Sequence, residues 1–330
     1  VLFLTMITAG MLVQAADRPN VVFLLSDDQG WGDYGFMGHP HIKTPNLDRL
    51  AGEGLLYERG YVTAAICRPS LASIVTGLYP HQTAVRGNGP FMGKDVDHKR
   101  MRKDKKLWPL AREQSKAMTA TLAYAPSMAK QLRDNGYATL QTGKWWEENS
   151  LDHGFTEGMT QGGHAGGRGL QIGRKTMQPI YDFVDKAQEA AQPFFIWYAP
   201  FLPHIPHNAP NRFYQKYKDL APDESTARYW ANIAWLDETC GQLADYLKEK
   251  DLYDNTLFVF TADNGWRPDP EKVSWYVRSK KEPVEAGVRT PIFLTHKNRI
   301  LPRRDKETLA SNIDIAPTIL HACGIEPDQA

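Results

Sequence analysis

Two acidic segments of the sequence carry side chains that could hold a metal ion. Asp27 and Asp28 are adjacent, and the segment TADNG places Asp263 beside Asn264. Neighbouring carboxylates repel each other unless a proton or a cation neutralises them. Because neither segment has a histidine or cysteine close by, the ligands offered are oxygen atoms, which favour calcium or magnesium over zinc. The two segments therefore predict a hard-cation site, although each alone is also typical of a solvated turn.

Cys67 could supply a nucleophile. Residues 67–77 read CRPSLASIVTG and predict a short helix that Pro69 opens and Gly77 ends. Free N–H groups at the start of a helix stabilise anions, so we expect a thiolate or an oxyanion substrate at this position. A buried structural cysteine is the alternative. The chain has three cysteines, so at most one disulfide can form.

Several cationic or proton-carrying side chains could complete a pocket for an anion. They are Lys144 in TGKW, His204 and His207 in FLPHIPH, and Lys280 and Lys281 before EAGVRTP. Each of them singly is typical of a loop residue. Beside a metal ion and a nucleophile, they would provide donors for a tetrahedral oxyanion.

The elements that must position these residues alternate along the chain. Strands are predicted at 20–25, 137–141, 194–198, 257–261 and 291–295, and helices at 45–53, 69–76, 127–135, 177–191 and about 223–249. This alternation predicts an α/β fold with a largely parallel central sheet and helices on both faces. Ligands of such sheets bind beyond the carboxyl ends of the strands, and four of the polar segments directly follow predicted strands.

Composition and the N-terminal segment limit the function classes. With 39 basic and 38 acidic residues the net charge is +1, so no global charge attracts nucleic acid. The apolar start of the chain ends in small residues, which predicts a partial signal peptide at 1–16 and an exported protein, periplasmic or secreted. This run is too short to span a bilayer, so we expect no stable membrane anchor. Residues 17–330 then form one domain.

Seven segments occur in an order that is typical of one enzyme family. They are RPNVVFLLSDDQGWGDYG, TPNLDRLAGEGLLYERGYV, CRPSLASIVTGLYPH, GYATLQTGKW, PFFIWYAPFLPHIPH, TADNG and EAGVRTPIF. From about residue 18 to 320 the sequence resembles the sulfatase family of the alkaline-phosphatase-like superfamily. No single segment is decisive, but seven in the same order argue against chance.

The resemblance implies a nucleophile and a cofactor. A formylglycine-generating enzyme would convert Cys67 to formylglycine, whose hydrated aldehyde attacks sulfur and later expels sulfate. Calcium, in preference to magnesium, would be held by Asp27, Asp28, Asp263 and Asn264 together with the modified Cys67.

The resemblance also implies a substrate class and a domain. The reaction would be hydrolysis of sulfate esters on a sulfated small molecule or polysaccharide. Lys144, His204 and Lys280 would contact the sulfate or the leaving oxygen, Lys280 being preferred to Lys281 for its spacing from Glu285. Residues 17–330 would be the N-terminal catalytic domain, and the family's small C-terminal antiparallel subdomain is missing from this sequence.

Two positions depart from the family pattern. The usual Cys-x-Pro-x-Arg motif has Leu71 in fifth place, and the usual Lys-Trp-His has Trp146 in third place. Both replacements touch the same nucleophile, so we expect Leu71 and Trp146 to pack together. His81, His153 or His164 could act as the proton carrier in place of the missing histidine.

Two other functions stay open. One is a catalytically silent family member that binds a sulfated polymer through residues 94–106, which hold seven basic and three acidic side chains. The other is a phosphoester hydrolase of the same superfamily. Because those hydrolases usually carry threonine or serine as the nucleophile, or an intact Cys-x-Pro-x-Arg motif, Cys67 in its present context favours sulfate.

Overall fold

The computed structural model describes residues 18–89, 104, 106–162 and 164–328. The predicted signal peptide at 1–16 and most of the basic segment 94–106 lie outside these residues. No helix within the described ranges is long and apolar enough to cross a membrane.

The strands of this part of the chain form one nine-stranded sheet. In chain order they are β1 (Asn20–Ser26), β2 (Leu55–Tyr61), β3 (Ala138–Gly143), β4 (Glu157–Gly158), β5 (Phe194–Ala199), β6 (Thr256–Ala262), β7 (Arg289–Thr295), β8 (Arg303–Asp305) and β9 (Ala310–Ser311). Neighbours follow the order β4-β3-β5-β1-β6-β7-β2-β8, and β9 pairs with β2. In this order, every neighbouring pair from β4 through β3, β5 and β1 to β6 is parallel. Strand β7 runs antiparallel to both β6 and β2. The sheet is therefore largely parallel, as predicted.

Helices separate most of these strands along the chain. They are α1 (Pro45–Gly52), α2 (Cys67–Thr76), α3 (Pro80–Thr83), α4 (Leu107–Ala123), α5 (Met128–Asp134), α6 (Gln178–Glu189), α7 (Asn211–Tyr214), α8 (Glu224–Glu249), α9 (Glu285–Val288) and α10 (Ile315–Ala322). The long connections between parallel strands carry these helices, as crossover connections require.

Strand β1 shows how the helices cover the sheet. Its residues Val22 and Leu24 pack into one apolar core with α1, α6 and α8, whereas Val21, Phe23 and Leu25 pack into a second core with α2, α5 and α10. Successive side chains of a strand lie on opposite faces of the sheet, so two buried sets mean that both faces are covered. The predicted α/β fold with helices on both faces is confirmed.

The apolar patterns missed β2 and α4. In β2 the charged residues Glu58 and Arg59 interrupt the apolar run, because this strand lies close to the sheet edge and is only partly buried. In α4 only Ala111 and Leu122 are buried, so the helical periodicity of its apolar residues is weak. The sequence therefore predicted the central elements of the sheet better than its periphery.

Gly143 ends β3 directly before Lys144, and its conformation permits a close strand contact. Its φ is +74°, and a Cβ atom there would lie 1.8 Å from the carbonyl oxygen of Ala199 on β5. We predict that Gly143→Ala lowers the free energy of unfolding by about 2–5 kcal/mol, through the left-handed backbone and the clash together. Urea denaturation followed by circular dichroism measures this loss.

Gly136 provides the matched control at the other end of the same strand. Its φ is +89°, but a Cβ atom there would meet nothing within 4 Å. Gly136→Ala should therefore cost only the left-handed conformation, about 1–2 kcal/mol. Equal losses in the two variants would contradict the importance of the contact between β3 and β5.

Candidate active site

The polar segments predicted to follow the strands meet at the carboxyl edge of the sheet. Asp27 follows β1, Lys144 follows β3, and Asp263 follows β6. The Lys144 ammonium group contacts a carboxylate oxygen of Asp27 and lies 3.2 Å from Oδ2 of Asp263. These strands are neighbours or near neighbours in a parallel arrangement, so their carboxyl ends lie side by side.

Four acidic or thiol groups form a buried cluster at this edge. Asp27, Asp28, Asp263 and Cys67 each offer one ligand atom, and these atoms lie within 4.8 Å of one another. The side-chain amide of Asn264 donates to Oδ1 of Asp28 at 2.7 Å. Oδ2 of Asp27 and Oδ1 of Asn264 are buried and have no hydrogen-bond partner among the described residues. Such unpaired oxygen acceptors are what a bound cation would require, so the residues fit a hard-metal site.

Asp28 adopts an unusual backbone conformation at the centre of this cluster. Its φ is +64°, and its backbone N–H donates to Oδ1 of Asp263 at 3.0 Å. Aspartate tolerates this left-handed region better than most residues, but the conformation still costs energy. The hydrogen bond to Asp263 compensates part of that cost and joins the two acidic segments.

Two lysines neutralise most of the carboxylate charge. The ammonium group of Lys280 donates to both carboxylate oxygens of Asp28 at 2.6 Å and lies 3.3 Å from Sγ of Cys67. Lys144 pairs with one carboxylate oxygen of Asp27 and with one of Asp263. Three carboxylates against two ammonium groups leave one net negative charge in the cluster.

Burial and these lysines act in opposite directions on the carboxylates. Burial raises the pKa of Asp27 and of Asp263 to about 6, although Lys144 opposes the change. Burial also acts on Asp28, but there Lys280, with Lys144, outweighs it and holds the pKa below its usual range. Asp28 is therefore the most firmly ionised member of the cluster.

Cys67 lies at the first position of α2, two residues earlier than the predicted start at Pro69. Its side chain is 1% exposed, and Sγ lies 3.9 Å from Oδ1 of Asp28. Burial, reinforced by Asp263, raises the pKa of the thiol to about 12 in spite of the two lysines. Burial thus opposes the thiolate that the helix start and the lysines favour, and the alternative, an oxyanion substrate at this position, stays a prediction.

His204 reaches the same cluster from the loop after β5. Its Nε2 lies 3.4 Å from Oδ2 of Asp28, and its ring stacks on Phe201 with centroids 4.1 Å apart. Nδ1 lies 2.6 Å from the carbonyl oxygen of Ile205, to which it can only donate. Burial lowers the pKa of His204 to about 4. The neutral ring therefore directs its unprotonated Nε2 towards the pocket.

Arg174, which sequence reasoning missed, holds the His204 loop in place. Its guanidinium group donates to the carbonyl oxygens of Phe201 and His204, the latter at 2.9 Å. Asn232 on α8 donates to the carbonyl oxygen of Pro203 at 3.1 Å. Neither residue carries a sequence signal beyond its type, because their partners are backbone carbonyls.

The other predicted histidines do not reach the cluster through any described contact. His207 is buried between Tyr229 and Trp266, with ring centroids 5.5 and 6.1 Å away. His153 is buried against Trp145, and the side chain of His164 lies outside the described part of the chain.

His81 does not lie near Cys67, although it is close to the Cys67 helix in sequence. It is exposed and stacks on Tyr79, beyond the C-terminal end of α2. Ten helical residues separate the two ends of α2, and each adds about 1.5 Å. His81 therefore lies beyond the far end of the helix from Cys67 and cannot replace the missing histidine in this conformation.

The two departures from the family pattern share one apolar core. Leu71 is 4% exposed within the core formed by α2, α5 and α10, and Trp146 packs against that same core while partly exposed. Contact between the two side chains stays a prediction.

A buried ion pair, also missed from the sequence, joins the Cys67 helix to the Lys144 loop. Arg68 donates to the two carboxylate oxygens of Glu147 at 2.7 and 2.6 Å, and the side chains are 1% and 4% exposed. Thr119 on α4 donates to Glu147 at 3.0 Å and also accepts a hydrogen bond from Arg68. Because Arg68 follows Cys67 and Glu147 lies three residues after Lys144, this pair fixes the distance between the two segments.

Lys281 differs from Lys280 although the two are adjacent. Its side chain is exposed, and its ammonium group lies over the ring of Trp275 at 4.3 Å from the centroid. Partial burial and repulsion by Lys280 lower the pKa of Lys281. The structure thus directs one lysine into the cluster and its neighbour to the surface.

The fold and the site together define an α/β protein with a buried acidic pocket, suited to a hard cation, at the carboxyl edge of its sheet. The Sulfatase family model matches residues 19–325, so the chain belongs to the sulfatase family.

Comparisons with individual proteins agree with this family. The chain is 27% identical over 381 residues to N-acetylgalactosamine-6-sulfatase of Sus scrofa, with 99% of the chain and 66% of that protein covered. It is 27% identical over 370 residues to arylsulfatase A of Homo sapiens, with 96% and 66% covered. The chain therefore spans about 66% of the length of these relatives.

A solved structure shows the same fold. The crystal structure of Ps i-CgsB in complex with k-i-k-neocarrahexaose superposes with a TM-score of 0.76 at 24% sequence identity, covering 94% of this chain and 73% of that chain. This likeness supports the alkaline-phosphatase-like architecture implied by the sequence.

The burial of the Arg68 and Glu147 pair predicts that substitutions of the two residues have strongly non-additive effects on the free energy of unfolding. Arg68→Met leaves the Glu147 carboxylate buried without its partner and should lower the free energy of unfolding by about 3–5 kcal/mol. The double variant Arg68→Met/Glu147→Leu removes both charges and should lose less than the single variant. Urea denaturation of the variants measures the coupling.

An exposed pair of the same geometry serves as the control. Arg212 and Glu238 form two hydrogen bonds of 2.6 Å, but their side chains are 56% and 34% exposed. Arg212→Met should cost no more than about 1 kcal/mol, because solvent screens the pair. A similar loss in both arginine variants would contradict the role of burial.

Proposed function

We propose that this protein hydrolyses sulfate esters, on a sulfated carbohydrate, with a formylglycine derived from Cys67 and a calcium ion. One observation carries the proposal. Sγ of Cys67 lies 3.3 Å from the ammonium group of Lys280 and 3.9 Å from the carboxylate of Asp28, at the start of a helix and inside a cluster suited to a hard cation. A group at that atom would face an anion held by the lysines and the metal.

Calcium fits the chemistry of the donors. Asp27, Asp28, Asp263 and Asn264, with the modified Cys67, would hold it, and two of these residues have buried oxygens without a partner among the described residues. Bound calcium would neutralise the carboxylates and polarise oxygens of the sulfate. Calcium is preferred to magnesium because a cluster of mixed carboxylate and amide ligands suits its flexible coordination.

The charge balance of the pocket favours a singly charged ester. The three carboxylates and two lysines leave one negative charge, and a divalent cation would change this to one positive charge. A sulfate monoester carries one negative charge and would complete the neutralisation. A phosphate monoester carries closer to two at neutral pH, so it would leave the buried pocket negative.

The protein's own side chains would bind and orient the ester. Lys144 and Lys280, both buried, would each donate to a sulfate oxygen while retaining contact with the carboxylates. His204 would face the leaving oxygen with Nε2, and Arg174 would hold its loop rigid. Formylglycine at position 67 would supply the nucleophilic hydroxyl of its hydrated aldehyde.

The same proposal covers the substrate class, the enzyme that modifies Cys67 and the location of the protein. The relative from Sus scrofa is named for a sulfated amino sugar, which supports a sulfated carbohydrate as the substrate class. A formylglycine-generating enzyme would modify Cys67, and the protein would work after export, in the periplasm or outside the cell.

A catalytically silent protein that binds sulfated polymers is the second candidate. Leu71 and Trp146 favour it, because both replace polar residues of the family pattern beside the nucleophile. The intact acidic cluster with its two lysines favours an enzyme.

The chemical state of Cys67 separates these candidates. Trypsin releases it in the peptide of residues 60–86, because the bond between Arg68 and Pro69 resists cleavage. In protein from its own host, we expect mass spectrometry to show this peptide at the mass of formylglycine rather than cysteine. Peptides with Cys240 and Cys323 should retain their thiols, since neither cysteine has a proline two positions later. An unmodified Cys67 with no turnover of any aryl or sugar sulfate would exclude the sulfatase activity.

Substitution of Asp263 tests whether the acidic cluster binds calcium. Asp263→Ala should abolish calcium binding in calorimetry and hydrolysis of p-nitrophenyl sulfate together, because it removes a buried ligand and a partner of Lys144. Asp254→Ala, an exposed aspartate that pairs with Lys297, should change neither. Removal of calcium with a chelator should reproduce the loss in the wild type. Unchanged calcium affinity in Asp263→Ala would remove this residue from the site.

A further inference from the structure

A small hairpin lies beside the pocket and carries aromatic and cationic side chains. Residues 267–276 fold back on themselves: the N–H of Tyr276 donates to the carbonyl oxygen of Arg267 at 2.8 Å, and the N–H of Asp269 donates to that of Ser274 at 3.0 Å. Tyr276 is 40% exposed, and Trp275 is partly exposed. We call Arg267, Trp275, Tyr276 and Lys281 the hairpin face.

Ring contacts connect the hairpin face to the pocket. The ammonium group of Lys280 lies 5.7 Å from the ring centroid of Trp266, which is 1% exposed. Trp266 meets Trp275 edge-on at 6.1 Å, and Lys281 covers the ring of Trp275. The N–H of Lys281 donates to the carbonyl oxygen of Ala65, two residues before Cys67, at 2.7 Å. The face therefore continues directly from the lysine that contacts Cys67.

The cations of this face have no acidic partner within the described residues. No carboxylate in those ranges lies within 4.0 Å of the charged group of Arg267 or Lys281, which instead lie over the rings of Tyr276 and Trp275. Lys272 at the turn of the same hairpin does pair with Asp269, at 3.7 Å. Lys281, whose backbone contacts the segment before Cys67, thus has no acidic partner among the described residues.

We propose that the hairpin face is a second anion subsite, which takes a negatively charged group on a sugar adjoining the scissile sulfate ester. This inference rests on the proposed function and narrows its substrate to a saccharide with at least two anionic groups. Lys281 would leave the ring of Trp275 to pair with the second sulfate or carboxylate, and the sugar ring would stack on Trp275 in its place. Exposed aromatic rings suit the apolar faces of sugars, and an unpaired ammonium group loses little by exchanging water for an anion.

Competition between a small and a large ligand tests the subsite. p-Nitrophenyl sulfate reaches only the pocket, whereas a chondroitin 6-sulfate tetrasaccharide carries several anionic groups and would reach the hairpin face. The inhibition constant of the tetrasaccharide against hydrolysis of p-nitrophenyl sulfate is measured for the wild type and for variants. We expect Lys281→Ala to raise this constant about fivefold and Trp275→Ala at least as much, with smaller changes in kcat/KM for p-nitrophenyl sulfate.

Lys272→Ala is the control, because it removes the same charge from the same hairpin at a residue that already has a partner. It should leave the inhibition constant and the hydrolysis of p-nitrophenyl sulfate unchanged. A tetrasaccharide that is desulfated and whose carboxylates are reduced to alcohols should respond to Trp275→Ala but not to Lys281→Ala. An unchanged constant in Lys281→Ala, or an equal change in Lys272→Ala, would overturn the subsite.

Failure of the anion subsite can be distinguished from failure of the proposed sulfatase activity. If Cys67 is unmodified and the wild type hydrolyses neither p-nitrophenyl sulfate nor any sugar sulfate, the sulfatase proposal fails. The subsite is then tested by calorimetric binding of the same tetrasaccharide to wild type, Lys281→Ala and Lys272→Ala. Absence of binding to the wild type, or equal binding by all three proteins, would also overturn it.

Discussion

Three carboxylates buried at one edge of a sheet are the constraint on which the rest of the structure depends. Removing one ionised group from water costs several kcal/mol even after relaxation, so Asp27, Asp28 and Asp263 cannot lie together unless other charges neutralise them. Lys144 and Lys280 supply two of those charges from separate segments. The cluster is therefore stable only when strands distant in sequence end side by side, and the parallel centre of the sheet provides that arrangement.

Neutralisation also requires that the loops between these strands hold their positions. The buried pair of Arg68 and Glu147 connects the Cys67 helix to the segment after Lys144, and Arg174 fixes the His204 loop through backbone carbonyls. Buried charges are tolerated when each is paired and hydrogen-bonded, and such pairs constrain geometry more than they add stability. The same contacts that satisfy buried polar groups thus set the distances between the pocket side chains.

Much of the fold and part of the site were predictable from local patterns. Apolar runs such as NVVFLL predicted central strands because both faces of a parallel sheet are buried. The rule that ligands bind at carboxyl ends then brought Asp27, Asp263 and Lys144 together before any contact was known. The position of Cys67 at the start of a helix was visible in the sequence, but the burial that raises the pKa of its thiol was not.

By itself, therefore, the sequence determined the order of strands and helices, the family, and the residue types that meet at the sheet edge. Tertiary structure alone decided that Cys67 is buried against the ammonium group of Lys280, and that Arg68 pairs with Glu147 across 79 positions of the chain. Local patterns depend on neighbouring residues and on the periodicity of burial. Charge pairing and desolvation depend on groups that only long-range packing brings within a few ångströms of one another.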